Sequence, residues 1–256
     1  MANTLNRVSL RNIAAHKLRL ALTVLAVVLG TAFLSGALMF TNMLSSTFDS
    51  AVNTVLDDVD VVVRPGENAT ALDRSTIEEL KNHPEVDRVN IFAEEPLVLA
   101  TEDEDPLQMQ LGTSRASLYY DDNQAVGIVP EITDGTAPTE IGQVLINANG
   151  AAKYGIETGQ KLIAVDKDGR NTVEVVGLYD DGLTPEMSLR VLVSEDTYTQ
   201  FYTDGEHFPM VGLDGQVGVD KLKAQWPDLE IQTGEDFGQQ TVSYTHLRAH
   251  ETGRNL

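Results

Sequence analysis

Carboxylates are the most abundant side chains with metal-binding or acid–base chemistry in this 256-residue chain, which has 39 acidic residues and no cysteine. Four of them form the unbroken run Glu102–Asp105, and Asp166 and Asp168 alternate in a turn that closes with Gly169. Calcium loops interleave their acids with turn residues and end on a glutamate. Because the run lacks that interleaving and the second turn lacks a third acid and the glutamate, both patterns indicate solvated turns and no metal site.

Catalytic motifs are missing from the sequence. It contains no Gly-x-Ser-x-Gly nucleophile turn, no phosphate-binding Gly-x4-Gly-Lys-Ser/Thr loop and no His-Glu-x-x-His zinc motif. The absence of cysteine excludes thiolate metal sites and a cysteine nucleophile. The histidines lack metal-ligand spacing and are His16, His83, His207, His246 and His250. We therefore expect a noncatalytic protein without a cofactor, in which any ATP-driven step uses the nucleotide site of another chain.

Charge divides the chain into two regions. The first 48 residues contain four cations, Arg7, Arg11, Lys17 and Arg19, and no acid. The remainder holds 14 basic and 39 acidic residues, a net charge of −25, within a total of −21. A negative surface repels phosphate backbones, and an aromatic content of 6% offers few stacking platforms for bases. Nucleic acid is therefore not an expected partner.

Residues 20–43 form an uncharged apolar run of 24 residues. Since roughly 20 helical residues cross a bilayer core, this run predicts a membrane-spanning helix at 20–44. The flanking cations place the amino terminus in the cytoplasm. We expect residues 1–19 to be cytoplasmic, with 3–17 lying against membrane lipid, and residues 45–241 to form the extracytoplasmic domain of a plasma-membrane protein. A buried soluble helix and a secretory signal cleaved near Ser35–Ala37 are the alternatives.

Beyond the apolar run, short strands and helices alternate, which predicts an α/β domain of mixed order. A capping-box pattern beginning at Ser75 predicts a short helix that stops at His83-Pro84, and Ser194 is expected to cap a second helix. The acidic run is expected at the tip of a hairpin. The predicted strands are 59–63, 86–91, 97–101, 107–111, 161–165, 172–176 and 189–193, and the helices lie after Ser75, at 194–202 and at 219–226.

Six segments together carry a family resemblance, and no one of them would suffice. Two of them precede or begin the domain, and the other four combine a Gly-Thr-Ala-Pro turn, a Gly-x-Val strand, a Gly-x-x-x-Gly turn and a Val-Val-Gly strand. They are Ser9–Arg19, Asp60–Arg64, Asp134–Pro138, Gly142–Ile146, Tyr154–Leu162 and Val175–Leu178. This series resembles the MacB/FtsX-like permeases of ABC transporters over about residues 5–235. The sequence departs by carrying Gln143 and Gln160 where acids are usual, which affects no assigned role.

The resemblance implies a permease half with four membrane helices and an external core domain between the first and second. It implies a separate cytoplasmic ATPase subunit, a second permease copy and mechanical coupling to export or extraction of lipoproteins, peptides, lipids or hydrophobic drugs. The chain has one such apolar segment, and residues 242–256 have no family counterpart. We expect a fragment with a non-native tail at 242–256. The alternatives are a single-pass anchored sensor or adhesion domain and, least favoured, an anchored hydrolase.

Overall fold

The computed structural model describes residues 21–37, 39, 59–107, 114–182, 184 and 188–240. The chain separates into two compact units, residues 1–50 and 51–256. In the first unit, residues 21–37 form helix α1, whose side chains are exposed along its length. Most of the rest of the predicted span 20–44 lies outside the described residues, as does its predicted extension to residue 58. Across the described ranges, no helix is both long and apolar enough to cross a membrane.

The second unit contains a lobe built from both of its ends, which we name the terminal lobe. Its elements are β1 (Val61–Pro65), α2 (Arg74–Lys81), β3 (Val86–Ile91), β12 (Val211–Gly215), α5 (Val219–Gln225) and β13 (Leu229–Thr233). The strands lie in the order β13-β1-β12-β3 and pair antiparallel throughout. Two β-α-β units, β1-α2-β3 and β12-α5-β13, therefore interlock in one sheet.

The β-branched run of β1 is buried on both faces of this sheet. Val61 and Val63 join the main core together with residues of α2 and α5, whereas Val62 packs in a second cluster with Phe92. Phe237, from helix α6 (residues 234–240), closes that second cluster. Phe92 lies so close to Gly212 that a Cβ there would come within 2.3 Å of the ring. Only glycine leaves room for this ring.

The other lobe is a closed barrel, which we name the barrel lobe. Its elements are β4 (Glu94–Ala100), β5 (Ser114–Leu118), β6 (Glu131–Gly135), β7 (Gln143–Asn147), α3 (Ala148–Tyr154), β8 (Lys161–Val165), β9 (Arg170–Asp180), β10 (Arg190–Val193) and α4 (Glu195–Tyr202). The sheet closes because the long strand β9 pairs with β8 on one side and β7 on the other. The described strands run β9-β7-β10-β5-β4-β8 around the barrel, and β6 extends the second half of β9.

Alternate residues of these strands fill the barrel interior, as the two-residue period of a strand requires. The inward residues belong to one buried cluster and include Leu97, Leu99, Val144, Ile146, Leu162, Ala164, Val173, Val175, Val191 and Val193. Two tyrosines of α4, Tyr198 and Tyr202, join the same cluster. The core thus continues from the barrel to the terminal-lobe sheet.

The predicted mixed α/β class is confirmed, and so are most predicted elements. The hairpin of β8 and β9, the strands β3 and β10 and the helices α4 and α5 lie where the sequence placed them. The predicted strand 59–63 is displaced, since β1 begins at Val61. Within the acidic hairpin, β4 is confirmed, whereas most of the predicted strand 107–111 lies outside the described residues.

The predicted short helix before His83-Pro84 is confirmed as α2, but the predicted capping box is wrong. The helix begins at Arg74, after Asp73 as N-cap, and no side chain caps it. The backbone N–H of Arg74 instead donates to the carbonyl of Glu206 at 2.8 Å. A long-range backbone partner therefore takes the place of the local hydroxyl cap, and Ser75 lies inside the first turn.

Candidate functional site: the junction between the two lobes

The chain enters and leaves the terminal lobe on neighbouring strands. β1 and β13 are antiparallel, with Val61 opposite Thr233. Just outside this pair, the N–H of Gly234 donates to the carbonyl of Asp60 at 3.1 Å. A Cβ at Gly234 would lie 2.0 Å from the Val59 carbonyl oxygen, so glycine permits this approach. The segments that precede β1 and follow β13 therefore meet at one end of the lobe.

Arg74 connects the terminal lobe to helix α4 of the barrel lobe. Its Nη1 lies 3.0 Å from Glu195 Oε1, and its Nη2 donates to Thr199 Oγ1 at 3.4 Å. Its Nε donates to the carbonyl of Gly205 at 2.5 Å, and the guanidinium lies 5.0 Å from the centre of the Phe208 ring. One side chain thus holds the start of α2, the barrel helix and the segment that returns to the terminal lobe. The planar fork of arginine suits this set of partners.

A second polar contact joins β3 to the barrel-lobe segment that follows β5. Asn90 is 2% exposed, and its amide donates to the Gln124 carbonyl at 2.8 Å while its oxygen accepts from the N–H of Val126. The N–H of Ile91 donates to the Tyr120 hydroxyl at 3.0 Å. Burial raises the pKa of Tyr120, so this hydroxyl stays neutral at physiological pH.

Arg88 supports the same contact from two positions earlier on β3. Its guanidinium pairs with Asp214 of β12 and also donates to the Ala125 carbonyl of the barrel lobe. Together with Arg74, these residues make a junction of directional hydrogen bonds and ion pairs beside the shared apolar core. Such contacts fix the angle between two bodies and can exchange partners when that angle changes.

The short strands β2 (Leu72–Asp73) and β11 (His207–Phe208) pair antiparallel at this junction. His207 lies between two carboxylates, with Nδ1 2.6 Å from Asp204 and Nε2 3.4 Å from Asp73. Of the other histidines, His83 accepts from the N–H of Glu85 at 3.3 Å, and the remaining three lie outside the described residues.

The structure places both acidic motifs in turns. Asp166 accepts from the N–H groups of Asp168 at 2.7 Å and Gly169 at 2.9 Å, so the predicted turn chemistry is confirmed. The run Glu102–Asp105 forms a tight turn, in which Glu104 pairs with Arg170 at 2.6 Å. The sequence did not indicate that pair. Within the described ranges, no group of three or more acids or histidines could hold a metal ion.

Strand β9 brings together the four domain segments that carry the family resemblance. Gly135 of β6 lies opposite Gly177, and β7 runs alongside β9 from Gln143. The N–H of Gly159 donates to the Val175 carbonyl at 2.7 Å. The segments are thus one structural unit, the closure of the barrel, although they are dispersed along the chain.

A profile of the MacB-like periplasmic core domain family matches residues 20–229. The chain belongs to this family. Its fold is similar to that of the periplasmic region of MacB from Actinobacillus actinomycetemcomitans, with a TM-score of 0.50 and 11% identity over 74% of this chain and 97% of that one. It is also similar to the extracellular domain of the noncanonic ABC-type transporter YknZ from Gram-positive bacteria, with a TM-score of 0.48 and 13% identity over 68% and 98%. No curated protein matches the chain.

The two departures from the MacB-like pattern have a structural explanation. The side-chain oxygen of Gln143 accepts from the N–H groups of Thr139 at 2.9 Å and Glu140 at 3.1 Å. That of Gln160 accepts from the N–H of Glu157 at 3.1 Å. Each glutamine caps a turn through an acceptor oxygen, which a carboxylate would also supply. An amide can therefore replace the acid without changing the turn.

The junction residues of this MacB-like domain were not predicted from the sequence. The capping-box pattern beside Arg74 gives it no role, Tyr120 lies in a segment without any motif, and the partners of both are distant along the chain. Asn90 carries the one readable signal, because asparagine is unfavourable inside a strand and its presence there suggests a specific buried partner.

Proposed function

We propose that this chain is a noncatalytic permease component of an ABC transporter, anchored by residues 20–44 with the domain at 45–241 outside the cell membrane and the amino terminus inside. The family match and the similarity to a periplasmic region of MacB support the domain's placement. The apolar run and the cations that precede it support the anchor and its orientation.

The adjacent strands β1 and β13 carry this proposal. A domain inserted between two consecutive membrane helices must receive and return the chain at one place, and the bond between Gly234 and Asp60 brings the two connections together. A single-pass sensor or adhesion domain requires only one connection to the membrane. The arrangement therefore favours the permease over that alternative.

The junction between the lobes supports a mechanical role. Movement of the membrane segments would displace the terminal lobe first, because both chain connections to the membrane lead into that lobe. Arg74, Asn90 and Arg88 would then pass a rotation of that lobe to the barrel lobe. In this proposal a separate cytoplasmic ATPase drives the movement, a second permease copy completes the assembly, and the cargo is a lipoprotein, peptide, lipid or hydrophobic drug.

Sequencing the source DNA beyond the codon for Thr241 tests the proposal. We expect three further apolar segments in the same reading frame and an ATPase gene beside them. The complete product should then co-purify with that ATPase when the two are expressed together. A stop codon after a short native tail, with no transporter gene nearby, would instead favour the anchored sensor.

A further inference from the structure

A cleft of about 460 Å³ opens on the outer face of the barrel lobe, between the turn at 101–105 and the β8–β9 hairpin. Its floor is apolar and is formed by Ala100, Ile163 and Val165. These residues alternate with the inward-facing Leu99, Leu162 and Ala164 and therefore face away from the barrel interior.

The apolar surface continues outside the cleft. Val98 lies directly opposite Val165 on the neighbouring strand, and the two side chains are 46% and 38% exposed. Isolated apolar side chains are common on protein surfaces, whereas Val98 and Val165 adjoin across two strands beside the cleft, so an apolar side chain of a ligand can pack on them. Val129, which is 39% exposed, lies outside the cleft and offers a matched comparison.

Carboxylates dominate the rim of the cleft. Its two cations are already paired, Lys167 with Glu95 and Asp168 at 2.9 Å each, and Arg170 with Glu104 at 2.6 Å. Glu102, Asp103 and Asp105 do not line the cleft but flank Glu104 in the turn that borders it, and they form no ion pair with any described residue. The rim therefore keeps a surplus of negative charge on a chain whose net charge is −21.

Asp166 adds a further carboxylate to the lining of the cleft. The residue lines the cleft, and its Oδ1 accepts the turn bonds already described, whereas Oδ2 is buried and has no hydrogen-bond partner among the described residues. Because Oδ2 is closed off from solvent, Asp166 contributes its negative charge to the cleft and offers no accessible acceptor through that oxygen.

We propose that this cleft docks a cationic segment of a partner polypeptide, which places an aliphatic side chain on the Val98–Val165 surface and lysine or arginine beside the rim carboxylates. Charge complementarity selects this occupant, because an anionic segment or an anionic lipid surface would be repelled by the same rim. The inference goes beyond the permease role and rests on the barrel lobe alone, so either can fail without the other.

Binding of a labelled peptide to the full chain in nanodiscs of zwitterionic lipid tests this inference by fluorescence anisotropy. The probe is a peptide of alternating lysine and leucine, and a glutamate–leucine peptide and empty nanodiscs serve as controls. The double substitution Val98→Thr with Val165→Thr keeps β-branched side chains and should raise Kd roughly tenfold, by removing apolar contact area. Val129→Thr should leave Kd within about twofold.

Two charge variants distinguish binding at the cleft from general attraction of a cationic peptide to an acidic protein. Glu102→Gln with Asp103→Asn and Asp105→Asn should weaken binding more than Glu131→Gln with Glu140→Gln and Glu157→Gln, which neutralise three exposed acids elsewhere on the lobe. The proposal would be overturned if the two triple variants weakened binding of the lysine–leucine peptide equally. It would also be overturned if the glutamate–leucine peptide bound as tightly as the lysine–leucine peptide. Sedimentation velocity tests a third outcome. If the chain self-associated and the Val98 and Val165 substitutions abolished that association, the occupant would be a second copy of the chain, and the proposal would be overturned.

Discussion

At the scale of single residues, the fold raises the pKa of His207, a side chain that ordinarily titrates near the physiological pH range. The hydrogen bond that the His207 ring donates to Asp204 raises the pKa of His207, and the negative charges of Asp204, Asp73 and Glu206 act in the same direction. The same bond to His207 holds the pKa of Asp204 well below its usual range. The pair is exposed, so it reports the local geometry of the β2–β11 seam without contributing strongly to stability.

The imidazole of His207 should titrate above the ordinary histidine value of about 6.5. Because the folded pKa is raised, the contribution of the pair to stability is complete below the unfolded pKa and disappears as pH rises through the folded pKa. Histidine NMR signals followed against pH measure the midpoint, and the loss of a signal in His207→Gln assigns it. Asp204→Asn should return the midpoint towards the ordinary value. An unchanged midpoint in that variant would contradict the role of Asp204.

At the scale of elements, local signals predict a helix correctly when its partners are local. Ser194 caps α4 by accepting from the N–H of Thr197 at 3.2 Å, three residues ahead, and the sequence pattern alone indicated this. α2 carries an equally clear capping-box pattern, yet its start is fixed by the carbonyl of Glu206. No pattern within a short window can reveal a partner so far along the chain.

Replacing Ser194 with alanine should lower the free energy of unfolding by about 1 kcal/mol, since the first turn of α4 loses its side-chain acceptor. Thermal or denaturant unfolding followed by circular dichroism measures the change. Ser194→Thr retains a hydroxyl at the cap and should recover most of the loss. If the alanine and threonine variants unfolded alike, the hydroxyl would have no capping role.

At the scale of the whole molecule, residue patterns indicated β1, β3, β4, β8, β9 and β10, whereas β5, β6, β12 and β13 were not predicted. Nothing in the sequence indicated how the strands assemble. The alternation in β8 and β9 predicted their hairpin, whereas closure of the barrel depends on β9 pairing with β7 as well. Likewise, the glycine-containing segments carried the family resemblance without revealing that they meet along one strand. Pairings between distant segments leave little trace in local patterns, because each strand satisfies the same two-residue period whatever its neighbour.

Arg74→Gln tests whether the junction holds the lobes together. The variant removes the ion pair with Glu195 and the stacking on Phe208, and the loss of charged hydrogen bonds should cost about 2 kcal/mol. We expect hydrogen exchange to accelerate in α2 and in residues 195–208, while the barrel strand β7 stays protected, because the interior of the barrel does not depend on Arg74.

Arg115→Gln is the matched control for this experiment. Arg115 pairs with Glu94 at 3.0 Å, the same distance as the pair of Arg74 with Glu195, but both residues of this pair belong to the barrel lobe. Its loss should leave exchange in α2 unchanged. If Arg74→Gln accelerated exchange throughout the barrel as much as at the junction, the two lobes would be one cooperative unit. The barrel would then be unable to turn separately against the terminal lobe, and the mechanical role assigned to Arg74 would have to be abandoned.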